Sequence, residues 1–156
     1  MSEKINQIAS FSVDHDKIKP GIYISRIDGD ITTYDLRTRT PNGGDYLDDC
    51  TMHSVEHMLA TYLRNGEIGE KVIYFGPMGC RTGFYLLVRD EEPKAVLSAL
   101  LSALDKTVAH EGEIFGATRQ ECGNYKCLSL ADAKRECEKY AEVLRSIENV
   151  DFKYYL

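Results

Sequence analysis

"GIYISRIDGDITTYDLR", Gly21–Arg37, places two β-rich runs on either side of Asp28-Gly29-Asp30. Short runs of β-branched and aromatic residues around an Asp-Gly pair predict a β-hairpin. Further on, "KVIYFGPM" (Lys71–Met78) and "TGFYLLVRD" (Thr82–Asp90) read as two more strands, joined through Gly79, Cys80 and Arg81. Between the two pairs, "TPNGGDYLDD" (Thr40–Asp49) is turn chemistry, and Asp48, Asp49 and Thr51 offer caps for a following helix. That helix, "HSVEHMLATYLRNG" (His53–Gly66), carries Val55, Met58, Leu59, Tyr62 and Leu63 at helical spacing and stops at Gly66. "PKAVLSALLSALDKTVAH" (Pro93–His110) opens on a proline suited to a first helical turn and is apolar over a broad face. "GATRQECGNYKCLSL" (Gly116–Leu130) is irregular. Ser129 with Asp132 three residues on opens a last helix, in capping-box style, that runs to about Ile147. A hairpin, a helix, two strands and two helices predict an α+β fold: one domain over 1–156, an antiparallel sheet with helices packed on it as a two-layer sandwich.

The bulk properties agree with a single core. The chain has 156 residues, 43% of them hydrophobic, which suits one globular domain and excludes a disordered one. Its formal net charge of -6, with lysine and arginine scattered, argues against nucleic acid or an anionic membrane as partner and leaves a small-molecule substrate. The first residues, "MSEKINQIAS", contain no apolar signal region, and no run reaches membrane-spanning length. Five cysteines, none in a C-x-x-C pair, point to reduced thiols and a cytoplasmic setting.

"HSVEH", His53–His57, is the stretch that suggests chemistry. Positions i, i+3 and i+4 share a helix face, so His53, Glu56 and His57 point the same way. Two neutral imidazoles at that spacing grip one cation, and a neighbouring carboxylate can move a proton at the bound ligand. The competing reading is a solvated helix face. Two ligands do not hold a catalytic metal, and His15, His110 and the five cysteines are the candidates for a third. Cys122 is followed by glycine in the irregular stretch, yet periodicity does not choose it over Cys127. Cys80 lies in "GPMGCRTG", where Pro77, Gly79 and Gly83 bend the backbone. There it either faces a cleft, with Arg81 favouring its thiolate, or serves as a small apolar filler.

Taken together, "SFSVDH" (Ser10–His15), "YDLRTRTPN" (Tyr34–Asn42), "HSVEHMLATYLRN", "GPMGCRTGFYLL" (Gly76–Leu87) and "ECGNY" (Glu121–Tyr125) resemble the S-ribosylhomocysteine lyase, or LuxS, family in order and spacing. The resemblance implies a homodimeric enzyme with His53, His57 and Cys122 as ligands of one divalent metal per chain. Fe(II) would be the native ion, with zinc or cobalt able to substitute. It implies Glu56 and Cys80 as the general acid/base pair. Ser10, His15 and Arg37 would line the substrate site from the partner subunit, so that each active site crosses the interface. The implied reaction walks a carbonyl along the ribose from C1 to C3 and then eliminates homocysteine from C5. The other product is 4,5-dihydroxy-2,3-pentanedione, the autoinducer-2 precursor of quorum sensing, and the homocysteine returns to the activated methyl cycle. Cys127 and Cys137 lie outside the family pattern, and "KPGIY" (Lys19–Tyr23) departs from it. Two other readings of the residues stand beside this one. H-x-x-E-H is also the inverted zinc-peptidase signature, which takes a distant carboxylate as third ligand. A structural zinc module would use His53, His57, Cys122 and Cys127 and leave no open position.

Overall fold

A computed structural model describes residues 3–147 and 151–154. The predicted hairpin is β1 (Gly21–Asp28) paired antiparallel with β2 (Ile31–Arg37). Gly29 takes φ +63° at the first position of the two-residue turn, a conformation glycine adopts without strain. The second pair is β3 (Val72–Pro77) and β4 (Gly83–Arg89), and the sheet order is β1-β2-β4-β3, antiparallel throughout. Three long helices follow the expected segments: α2 (Asp49–Arg64), α3 (Pro93–Ala109) and α4 (Leu130–Arg145). A four-residue turn of helix, α1 (Ala9–Ser12), was not expected and lies near β1. No helix among the described residues is long and apolar enough to cross a membrane.

Local chemistry sets the ends of the helices. Asp48 caps α2, accepting from the Thr51 N–H and from its hydroxyl, both at 2.8 Å. Ser129 caps α4 by accepting from the Asp132 N–H at 3.3 Å. The reciprocal half of the capping box is missing. The Ser129 N–H donates to the Ser54 hydroxyl at 2.8 Å, and Asp132 pairs with Arg135 instead. That exchange ties the start of α4 to the middle of α2.

Alternation along the strands gives the sheet two different faces. Ile22, Tyr34, Leu36, Phe84, Leu86 and Val88 are buried and belong to the core shared with Val55, Met58 and Leu59 of α2, Leu100 of α3 and Tyr140 of α4. The opposite face carries Tyr23, Asp35, Arg37 and Tyr85, set side by side by the strand register. Arg37 is 3% exposed and forks onto Asp35, whose second oxygen also accepts from the Tyr154 hydroxyl at 2.8 Å. Burial works against the Arg37 charge, but the hydrogen bonds and charge of Asp35 hold the guanidinium protonated. The sandwich therefore has a closed helical side and an outer sheet face with a buried ion pair set into it.

Candidate active site

α2 presents His53 and His57 on one face, four residues apart, and the irregular segment before α4 brings a third donor to them. Among the described residues, His53, His57 and Cys122 form a group whose donor atoms all lie within 4.8 Å of one another. Cys122 Sγ is 3.4 Å from His53 Nε2. His57 Nδ1 is 2.8 Å from the Phe115 carbonyl oxygen. A carbonyl only accepts, so Nδ1 carries the proton and Nε2 keeps its lone pair for a cation. Two imidazoles and one thiol, all half-buried, match the donor chemistry of a divalent transition metal with one position left open. Glu56 stands one turn along from His53 on the same face, half-buried, and is not a member of the donor group.

Cys127 is set apart by direction. Its Sγ is 3.6 Å from His53 Nδ1, whereas Cys122 faces Nε2 of the same ring. The two nitrogens of an imidazole point away from each other, so one cation cannot take both sulfurs across that ring. This geometry argues against the four-ligand structural zinc module. Nor, among the described residues, does any carboxylate join the donor group, as the inverted peptidase arrangement requires. Cys137 is buried in the core, and that burial pushes its thiol up to about 12, the mark of a packing residue.

A second cluster surrounds Cys80. Its Sγ is 3.0 Å from the Thr82 hydroxyl, and Thr82 in turn accepts from Arg37 Nη1 at 2.9 Å. Cys80 is exposed and lines a cavity of about 340 Å³ together with His15, Asn42, Tyr46 and Thr82. His15 is fixed there by its Nδ1, 2.9 Å from the Val13 carbonyl. The Arg81 guanidinium lies over the Tyr46 ring, 6.0 Å from its centre. The partner the Cys80 sulfur finds is Thr82. None of His53, Glu56, His57 or Cys122 lines this cavity.

Within one chain, His15 shares the Cys80 cavity and Arg37 reaches Cys80 through Thr82. The cause is the β2–β4 register, which sets Arg37 opposite Gly83 and next to Thr82. Ser10, in α1, lines a different cavity of about 340 Å³ on the outer sheet face, with Ser25, Tyr74, Tyr85 and Leu87. Thr82 and Asp35 went unnoticed in the sequence. Each had a signal: both lie two residues from a chosen residue, Cys80 or Arg37, and Asp35 shares a strand face with Arg37. The Phe115 carbonyl had no signal at all.

The sequence matches known proteins over nearly its whole length. A family model described as S-ribosylhomocysteinase (LuxS) matches residues 8–151. An S-ribosylhomocysteine lyase of Borreliella afzelii is 43% identical, covering 96% of this chain and 99% of that protein. Those of Finegoldia magna and Clostridium acetobutylicum are 41% and 40% identical at the same coverage. With matches of that extent along its length, this chain belongs to the S-ribosylhomocysteinase (LuxS) family.

Proposed function

We propose that this protein is an S-ribosylhomocysteine lyase, with the whole chain, 1–156, acting as one catalytic domain. The observation that carries the reading is the convergence of Cys122 with His53 and His57 of the helix that also carries Glu56, their donor atoms all within 4.8 Å of one another. His53, His57 and Cys122 would hold a divalent cation, Fe(II) in the cell with zinc or cobalt as substitutes, and the bound ion would supply Lewis-acid polarisation of the substrate's oxygens. The side chains do the rest. Cleaving a thioether without water or redox requires an acidic proton on the carbon next to C5. Moving the carbonyl from C1 to C3 creates that acidity. Each shift removes a proton α to a carbonyl and returns it one carbon along. Cys80 performs this transfer, its sulfur steadied by Thr82 and, through Thr82, by Arg37. Glu56 carries protons between neighbouring oxygens. Glu56 then takes the last proton from C4, the homocysteine thiolate departs from C5 and is protonated, and the enol left across C4 and C5 tautomerises to 4,5-dihydroxy-2,3-pentanedione.

The chain acts as a homodimer in which the metal donors of one subunit meet the Cys80, Arg37 and His15 cluster of the other. Three observations support this. None of the proposed metal donors, His53, His57 and Cys122, lines the Cys80 cavity of its own chain. The outer sheet face leaves Tyr74 50% exposed. The adjoining N-terminal segment leaves Phe11 68% exposed, with Ile5 and Ile8 exposed beside it. Exposed apolar surface of that kind is normally covered by a partner. The five free thiols support a reducing, cytoplasmic setting. Incubation with S-ribosylhomocysteine, with free thiol trapped by a chromogenic disulfide, tests the activity. Homocysteine release is expected, and its absence from metal-loaded dimer rejects the proposal.

A further inference from the structure

We infer that the Phe115–Gly116 turn, clamped from behind by Tyr62 and His110, is the device that aims His57 at its cation. The inference rests on the reading of His57 as a metal ligand. It concerns residues that lie outside both the donor group and the Cys80 cavity.

The aim starts at the ring. The Phe115 carbonyl, 2.8 Å from His57 Nδ1, fixes both the tautomer and the rotation of the imidazole. The next residue makes that approach possible. Gly116 adopts φ +68°, and a Cβ at that position would stand 2.9 Å from His57 Nδ1 and 3.2 Å from Cε1. Any side chain at 116 therefore both strains the backbone and pushes the imidazole off its line.

The carbonyl is itself held. The Phe115 ring meets Tyr62 edge-on with centres 5.1 Å apart, and meets His110 at 4.7 Å. His110 Nε2 lies 2.8 Å from the Glu113 carbonyl, so in the neutral ring Nε2 donates and Nδ1 accepts. The Tyr62 hydroxyl, 2.7 Å from Nδ1, then donates to it. Every polar atom of the clamp is used in one direction. Tyr62 also sits on α2, the helix that carries His57, and Lys134 of α4 donates to the His110 carbonyl at 2.9 Å. The turn is thus anchored to the same rigid element as the ligand it orients. His53 is supported differently, with the softer sulfur of Cys127 at its Nδ1.

The test uses the full chain and Co(II) alone. Affinity is read by competition with a chromophoric chelator, and geometry by the ligand-field and thiolate charge-transfer bands. Gly116→Ala and Phe115→Leu are expected to bind Co(II) about 10- to 100-fold more weakly, with altered bands and unchanged circular dichroism. Tyr62→Phe, which keeps the ring and drops one hydroxyl, should lose about fivefold at most. Should Gly116→Ala not fold, Phe115→Leu and Tyr62→Phe decide the matter. Wild-type affinity and bands in these variants, with binding lost in His57→Ala, would overturn the aiming role and leave the ligand intact. Wild-type binding in His57→Ala would overturn the ligand reading itself.

Discussion

Refolding two inactive variants together tells which side chains share a chain at each active site. Cys80→Ala removes the proton carrier and Cys122→Ala removes a metal donor, so each alone should be nearly inactive. The structure puts Cys80 with His15 and Arg37, and gathers the metal donors elsewhere on the same chain. In a mixed dimer, one site then combines the intact donors of the Cys80→Ala chain with the intact Cys80 cluster of the Cys122→Ala chain. The other site carries both lesions. Random pairing makes about half the dimers mixed, each with one good site of two, so about a quarter of wild-type activity should return. Thiol release from S-ribosylhomocysteine in the presence of added metal reads the recovery, and mass spectrometry confirms the mixed dimers. Cys80→Ala mixed with His15→Ala should recover nothing, because both lesions fall in one cluster. The reverse pattern would return Cys80 to the metal's own chain. No recovery from either mixture, with mixed dimers present, would refute the shared site.

The metal set is tested by Cys122→Ala, which should lose most bound metal because two imidazoles hold a divalent ion poorly. Cys127→Ala should keep one ion per chain, as measured by elemental analysis, since its sulfur lies on the far edge of the His53 ring. Cys80→Ala and Glu56→Gln should keep the metal and lose about 10²- to 10⁴-fold in turnover, the usual cost of a missing acid/base group. Asp48→Ala should destabilise the fold by about 1 kcal/mol at pH 7 through loss of the α2 cap. The backbone and side-chain hydrogen bonds from Thr51 hold the Asp48 carboxyl below its ordinary 3.8. Its stabilisation is therefore present above that value and lost as pH falls through the folded one. Urea unfolding should separate variant from wild type at pH 7, with the gap narrowing as the pH is lowered below 3.8.

What was legible in the sequence divides by the range of the interactions involved. The Asp28-Gly29-Asp30 turn, the Asp48 cap and the face shared by His53, Glu56 and His57 each depend on neighbours within a few residues. Composition and period reach that far. Ser129 already marks a boundary. Its side chain caps α4 locally as expected, but its N–H is taken by Ser54, 75 residues away, so the reciprocal half of the box never forms. Beyond that range the residues alone left choices open. Cys122 and Cys127 lie five apart in an irregular segment, and what separates them is which nitrogen of His53 each sulfur faces. No pattern in the chain encodes a ring direction. The family resemblance chose Cys122, and the geometry gives the physical reason. The same limit applies to the cluster around Cys80. Arg37 and Cys80 are 43 positions apart, and they become neighbours only when the β2–β4 register sets Arg37 against Gly83 and Thr82 closes the gap. A resemblance transfers the identity of site residues, but it does not say which of them lie side by side in one chain. That question belongs to strand register, and a shift of one residue would turn Arg37 to the other face of the sheet.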